Sequence, residues 1–155
     1  MACRRVTSLR QLLLDGNAFV DASSCSGARP LRLLSLENNK LQQFVTDRSL
    51  YLLESLNLKH NMLTEIDAVE LTSMPFLFAL DIADNSLTAL PNVLDRLTLL
   101  THIDASHNRI SQLECSFAPL TNLTYVDLSH NAIESSNMDF SEAGDLTYIN
   151  VWKCR

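Results

Sequence analysis

Apolar side chains return along this chain in a fixed nine-residue pattern, at the first, fourth and sixth places of a string that closes on asparagine. The copies read LRQLLLDGN (Leu9 to Asn17), LRLLSLENN (Leu31 to Asn39) and LESLNLKHN (Leu53 to Asn61), then LFALDIADN (Leu77 to Asn85), LTHIDASHN (Leu100 to Asn108) and LTYVDLSHN (Leu123 to Asn131). A last copy, LTYINVWKC (Leu146 to Cys154), puts cysteine in the asparagine's place. The closing asparagines are 22, 22, 24, 23 and 23 residues apart, and 23 more reach Cys154. A period of this size means small units, each unable to bury its own apolar face, that stack on one another.

Within each unit the fourth and sixth positions are apolar and alternate with polar neighbours, which is the period of a half-buried strand. Leu56 and Leu58, or Val126 and Leu128, are expected to point inward, and the fifth position outward. Parallel strands need a crossover of a dozen or more residues, and a 22–24-residue repeat leaves that much. Further apolar residues follow two after the asparagine (Phe19, Leu41, Leu63, Leu87, Ile110, Ile133) and precede the unit by three (Val6, Leu50, Met74, Leu97, Leu120). The crossovers from Ser86 and from Arg109 add Leu90 and Leu94, and Leu113 and Phe117. The segment Ala18 to Pro30, rich in serine, reads as a loop, and Ala105 as a small residue making room for a larger neighbour. Asn17, Asn39, Asn61, Asn85, Asn108 and Asn131 form a structural ladder: where strand bends into crossover, an amide side chain can satisfy inward-turned backbone groups.

This pattern resembles the leucine-rich repeat family, L-x-x-L-x-L-x-x-N-x-L, over essentially the whole chain. The resemblance implies an α/β-type solenoid, a right-handed horseshoe with a parallel β-sheet on its concave face and loops or short helical turns on its convex face. It also implies one domain over residues 1–155, of six full repeats and a truncated seventh. Neither end reads as capped, so a longer parent chain or an end-covering partner is expected.

Composition narrows the function classes. With 155 residues, 46% apolar, the chain can bury a core, and a net charge of −6 argues against nucleic-acid phosphate as partner. Arg4, Arg5 and Arg10 are the one local basic cluster. The longest uncharged apolar run, Leu71 to Leu80, falls short of the roughly 20 residues a membrane span needs, so no membrane insertion is expected. No apolar segment of signal-peptide type follows the N-terminal arginines. Cys3, Cys25, Cys115 and Cys154 are scattered, which favours a reducing, cytoplasmic compartment over a secreted or cell-surface one. The sequon Asn122-Leu123-Thr124 keeps the second reading open.

Candidate chemistry lies at the outward strand positions. All the histidines, the one tryptophan and Tyr125 and Tyr148 fall there, concentrated in the last units. Exposed aromatics at regular places are what protein interfaces use as anchors. The candidate partner-binding residues are His102, Asp104, His107, Tyr125, Asp127, His130, Tyr148 and Trp152, with Asp81 extending the acidic column. The opposing reading is that such strings merely recur in repeats of this kind and the partner sits elsewhere. Carboxylates about 5 Å apart repel by roughly 1 kcal/mol per pair in water, so Asp81, Asp104 and Asp127 call for a basic partner or for hydrogen bonds from Ser106 and Ser129.

Catalysis and metal binding find less support. No nucleophile stands beside a base at motif spacing, Cys115 belongs to the convex side, and Gly16, Gly27 and Gly144 make no phosphate loop. Asp104-x-x-His107 and Asp127-x-x-His130 carry ligand types, but their spacing is the repeat's own, so no metal and no cofactor is expected. The expectation is a non-enzymatic scaffold that binds another protein through its concave face. The alternative is an ectodomain piece of a secreted or cell-surface recognition protein.

Overall fold

The computed structural model describes residues 8–25, 30–113, 116–134 and 139–154. Each nine-residue string supplies one three-residue strand: β1 (Gln11–Leu13), β2 (Leu33–Ser35), β3 (Ser55–Asn57), β4 (Ala79–Asp81), β6 (His102–Asp104), β8 (Tyr125–Asp127) and β9 (Tyr148–Asn150). They form one parallel seven-stranded sheet in chain order. Register is strict. Leu34 pairs with Leu56, Leu56 with Leu80, Leu80 with Ile103, and Ile103 with Val126. Because equal motif positions meet across the sheet, each motif position becomes a column running along the solenoid.

The inward columns make the core. Leu34, Leu56, Leu80, Ile103 and Val126 are buried, as are the string-opening leucines Leu31, Leu53, Leu77, Leu100 and Leu123. Leu90, Leu94 and Phe117 join them from the crossovers, while Leu113 is partly buried. Inward residues of the outer turns have a neighbour on one side only: Leu12 and Leu14 are partly buried, and Ile149 is 45% exposed.

The asparagines close the bends. Asn108 Nδ2 donates to Ala105 O (3.1 Å) and Ser106 O (3.2 Å) of its own turn and to Ile82 O (3.0 Å) of the turn before, while Leu87 N–H donates to its Oδ1 (2.9 Å). Asn39, Asn61, Asn85 and Asn131 repeat this arrangement. In the first turn, Asn17 donates to Leu14 O and Asp15 O of its own turn. In the last, Cys154 Sγ reaches Leu128 O at 3.3 Å.

The residue before each of these positions adopts a left-handed backbone: Gly16 (φ 67°), Asn38 (54°), His60 (53°), Asp84 (53°), His107 (54°), His130 (56°) and Lys153 (57°). Glycine meets this at no steric cost, and Asn, Asp and His tolerate it better than most residues. The eighth column is therefore selected partly by backbone shape, a constraint that hydropathy does not reveal.

The convex side carries short helical turns, as expected, and adds a strand pair. It carries α1 (Ala68–Thr72), capped by Asp67 accepting from Val69 N–H at 2.7 Å, and single 3-10 turns at Ser23–Cys25 and Leu94–Arg96. Two further strands, β5 (Ala89–Leu90) and β7 (Gln112–Leu113), pair in parallel. The segment read as a loop thus contains a 3-10 turn, and buried Ala22 and Cys25 hold it to the core. Buried Glu70 of α1 accepts from Thr46 N–H (3.1 Å) and Thr46 Oγ1 (2.7 Å), tying neighbouring crossovers together. The expectations placed on Cys3, Arg4, Arg5, Val6, Gly27 and Cys115 lie outside the described residues. Among the described residues, no helix is long and apolar enough to cross a membrane.

Candidate functional site

The third column ends in three rings. Register places His102, Tyr125 and Tyr148 side by side, and the strand spacing of about 4.8 Å holds equivalent rings near stacking distance. His102 and Tyr125 stack with centroids 4.1 Å apart and planes 8° apart, and Tyr125 and Tyr148 at 4.4 Å and 4°. A second ladder rises from the eighth column, where His107 and His130 stack at 4.0 Å and 14°. Trp152 meets His130 edge-on at 4.8 Å, and Lys153 Nζ lies 4.5 Å from the Trp152 ring centre, within cation–π range. Tyr148 is 42% exposed and Trp152 62%.

The ladders favour neutral rings. Burial, then the nearby Asp104 and Asp127 carboxylates, push the Tyr125 phenol up to about 12, which keeps it a hydrogen-bond donor. Desolvation, followed by His107 and Lys153, lowers the His130 imidazole below its ordinary value. The folded state resists that proton, so the unfolded chain takes it first as pH falls. The His130 contribution is therefore present above about 6.5 and is lost on acidification.

The fifth column has a structural use that extends the hydrogen bonds expected from Ser106 and Ser129. Asp81, Asp104 and Asp127 each turn Oδ1 back to accept the backbone N–H two residues on, from Ala83 (3.1 Å), Ser106 (3.0 Å) and Ser129 (2.9 Å). Asn57 and Asn150 do the same for Lys59 and Trp152. These are Asx turns at the strand's bend. Of the two offsets considered for the carboxylate column, hydrogen bonds are present: Ser106 adds its hydroxyl at 2.7 Å, and Ser129 acts through its backbone.

The fifth column also points out less than expected. Asp127 is only 8% exposed, because Asn150 Nδ2 (3.0 Å) and Tyr148 Oη (3.5 Å) lie over its Oδ2. It supports Tyr148 from beneath. Asp81 and Asp104 are half-buried.

Asp81 offers a test of this balance. Burial, then Asp104, raise its carboxyl above the ordinary value, against the Ala83 hydrogen bond. A carboxyl raised on folding holds its proton at higher pH in the folded state, so wild-type stability rises as pH falls toward about 4. Asp81→Asn, which keeps an oxygen for the Ala83 N–H, is expected to melt higher than wild type at pH 7. Thermal melts across pH should show that advantage closing on acidification. A variant less stable at pH 7 would contradict this.

The remaining histidine, His60, places Nδ1 3.5 Å from Asp84 Oδ2. Among the described residues, no group of three or more His, Cys, Asp or Glu could hold a metal ion. Following strand columns alone also overlooked Phe76, Phe78 and Leu99, large apolar side chains exposed beside the sheet.

Comparison with known proteins agrees with this geometry. Residues 51–110 match the family model for the leucine rich repeat. The chain is 31% identical over 91 residues to leucine-rich repeat-containing G-protein coupled receptor 5 of Rattus norvegicus, a match covering 57% of this chain and 10% of the receptor. Among solved structures it resembles an internalin (inlF) from Listeria monocytogenes, with a TM-score of 0.85 at 22% identity, over 98% of this chain and 44% of that one. The leucine-rich repeat domain of APL1B follows with a TM-score of 0.63 at 21% identity, over 68% of this chain and 33% of that one. The chain thus spans less than half the length of each of these proteins. The family and fold are typical of protein–protein interaction modules and are typically non-enzymatic. The repeated string, the stacked parallel turns and these matches agree: residues 51–110 carry leucine rich repeats, and the chain has the fold of a leucine-rich-repeat solenoid.

Proposed function

We propose that this chain is a non-enzymatic binding scaffold that holds a partner protein on the concave sheet face of its last three turns. The observation that carries the reading is the pair of ring ladders, His102–Tyr125–Tyr148 and His107–His130 with Trp152. Ladder stacking fixes these rings before any partner arrives, so little side-chain entropy is lost on binding. Tyr and Trp are the residues most often found as interface hot spots. Asp81 and Asp104 border the rings with negative charge. Asp127 acts by positioning Tyr148, and His107 and His130 satisfy the left-handed bend as well as offering ring surface. The stacked repeats serve as the support for this face, with no cofactor and no nucleic acid involved.

The test is the triple change Tyr125→Ala, Tyr148→Ala, Trp152→Ala. Captured partner should bind at least about 100-fold more weakly, since each anchor contributes upward of 1–2 kcal/mol. The melting temperature should fall only modestly, because Tyr148 and Trp152 are exposed and the half-buried Tyr125 gives up ring stacking rather than core packing. Unaltered affinity would move the partner elsewhere.

The receptor similarity favours a second reading, in which the same face belongs to the ectodomain of a secreted or cell-surface recognition protein. Protease digestion of intact expressing cells separates the two, because only a surface-exposed chain would be cut.

A further inference from the structure

Phe76, Leu99 and Asn122 occupy one position in three successive repeats, the residue before the opening leucine. Phe78 and Thr101 occupy the place after that leucine. Together with Glu54 these residues line an open groove of about 520 Å³ on the flank of the solenoid. Phe76 is 49% exposed, Phe78 43% and Leu99 45%, a concentration of apolar surface that solvent disfavours. Asn122, at the groove's rim, heads the sequon Asn122-Leu123-Thr124.

We propose that Asn122 is an N-glycosylation site, and that the first sugars of its glycan lie across Leu99 onto Phe76 and Phe78. The geometry suits this. Asn122 is exposed and its Nδ2 donates one hydrogen to Thr98 O at 2.8 Å, which fixes the amide and leaves the second hydrogen for replacement by sugar. Two strand spacings, about 10 Å, separate the Asn122 turn from the Phe76 turn, a length comparable to two sugar rings. Sugar rings present apolar C–H faces to aromatic surface while their hydroxyls reach polar rim groups such as Glu54 and Thr101. A protein would also cover apolar surface, but the sequon supplies the sugar with a covalent anchor at this groove.

The donor is an oligosaccharide linked to a lipid pyrophosphate. Asn122 Nδ2 bonds to the anomeric carbon, the bond from that carbon to phosphate oxygen breaks, the amide proton passes to a base of the transferring enzyme, and lipid pyrophosphate leaves. Thr124 Oγ1 donates to Thr101 O at 2.9 Å in the folded turn, so transfer belongs to the nascent chain before that turn closes. The site implies synthesis into a compartment that holds this donor, against the cysteine-based expectation of a cytoplasmic protein. It does not depend on the concave-face reading, since it lies beside the sheet.

The experiment expresses the full chain behind a secretion leader in eukaryotic cells. Intact mass should show a glycan increment that a peptide-N-glycosidase removes, leaving aspartate at 122. Asn122→Gln should lack the increment and Thr124→Ser should keep it. Removal of the glycan should raise the fluorescence of an apolar-surface dye several-fold, and Phe76→Ser with Phe78→Ser should abolish that rise. An unmodified Asn122 overturns the site. A glycan whose removal leaves dye binding unchanged overturns its seat in the groove and leaves that surface to a protein partner.

Discussion

Replacing Asn108 by leucine is expected to destabilise the chain by about 3–5 kcal/mol, the range of a broken buried hydrogen-bond network. The change strands Leu87 N–H and removes the amide from Ile82 O, Ala105 O and Ser106 O, all among buried surroundings. An unpaired buried backbone group costs roughly 1–3 kcal/mol, and leucine offers no replacement partner. Stability in an array is a sum of unit and nearest-neighbour terms, so the loss falls at the junction of the fourth and fifth turns. Urea melts should show an earlier midpoint, and hydrogen exchange should quicken first at Leu87, whose N–H loses its acceptor. Asn17→Leu is the internal control: Asn17 is exposed and donates within its own turn, so its cost should be smaller. Equal effects at both positions would refute the ladder account.

Phe117→Ala is expected to cost about 3–5 kcal/mol as well, by a different mechanism. Phe117 is 1% exposed, and its ring stacks on Phe140 of the following crossover at 4.7 Å. Truncation leaves a cavity and removes a ring pair worth about 0.5–1.5 kcal/mol beyond its area. Because the pair joins the last two crossovers, the damage should concentrate in the turns that present Tyr125, Tyr148 and Trp152. Trp152 is the chain's one tryptophan, so its fluorescence reports the final turn directly. In this variant the fluorescence transition should precede the circular-dichroism transition. Coincident transitions at the wild-type midpoint would contradict it.

Particular residues show how far the sequence could be read. Strands, inward columns and crossover leucines were legible because burial repeats with the period, and Leu56, Leu80 and Phe117 are buried where that period places them. The asparagine ladder was legible because an amide at a bend has few other uses. Period alone was silent on depth: Asp127 faces the sheet side like Asp81, yet Asn150 and Tyr148 of the next turn cover it. It is also silent on backbone sign: in sequence His107 and His130 carry only ring chemistry, while in the fold they also hold a left-handed φ. The Asx turns of Asp81, Asp104 and Asp127 are only partly legible, because a carboxylate bonded to its own backbone looks, in sequence, like one offered to a partner. α1 and the β5–β7 pair depend on packing between crossovers of unequal length, which no single repeat encodes.

Specificity is proposed to lie on the concave aromatic ladders. A photo-crosslinking amino acid placed at Tyr148, and in parallel at convex Val69, tests it most directly, since both sites are exposed and neither holds the core together. The partner should be captured covalently from position 148 and not from position 69. Capture from position 69 with none from 148 would contradict it.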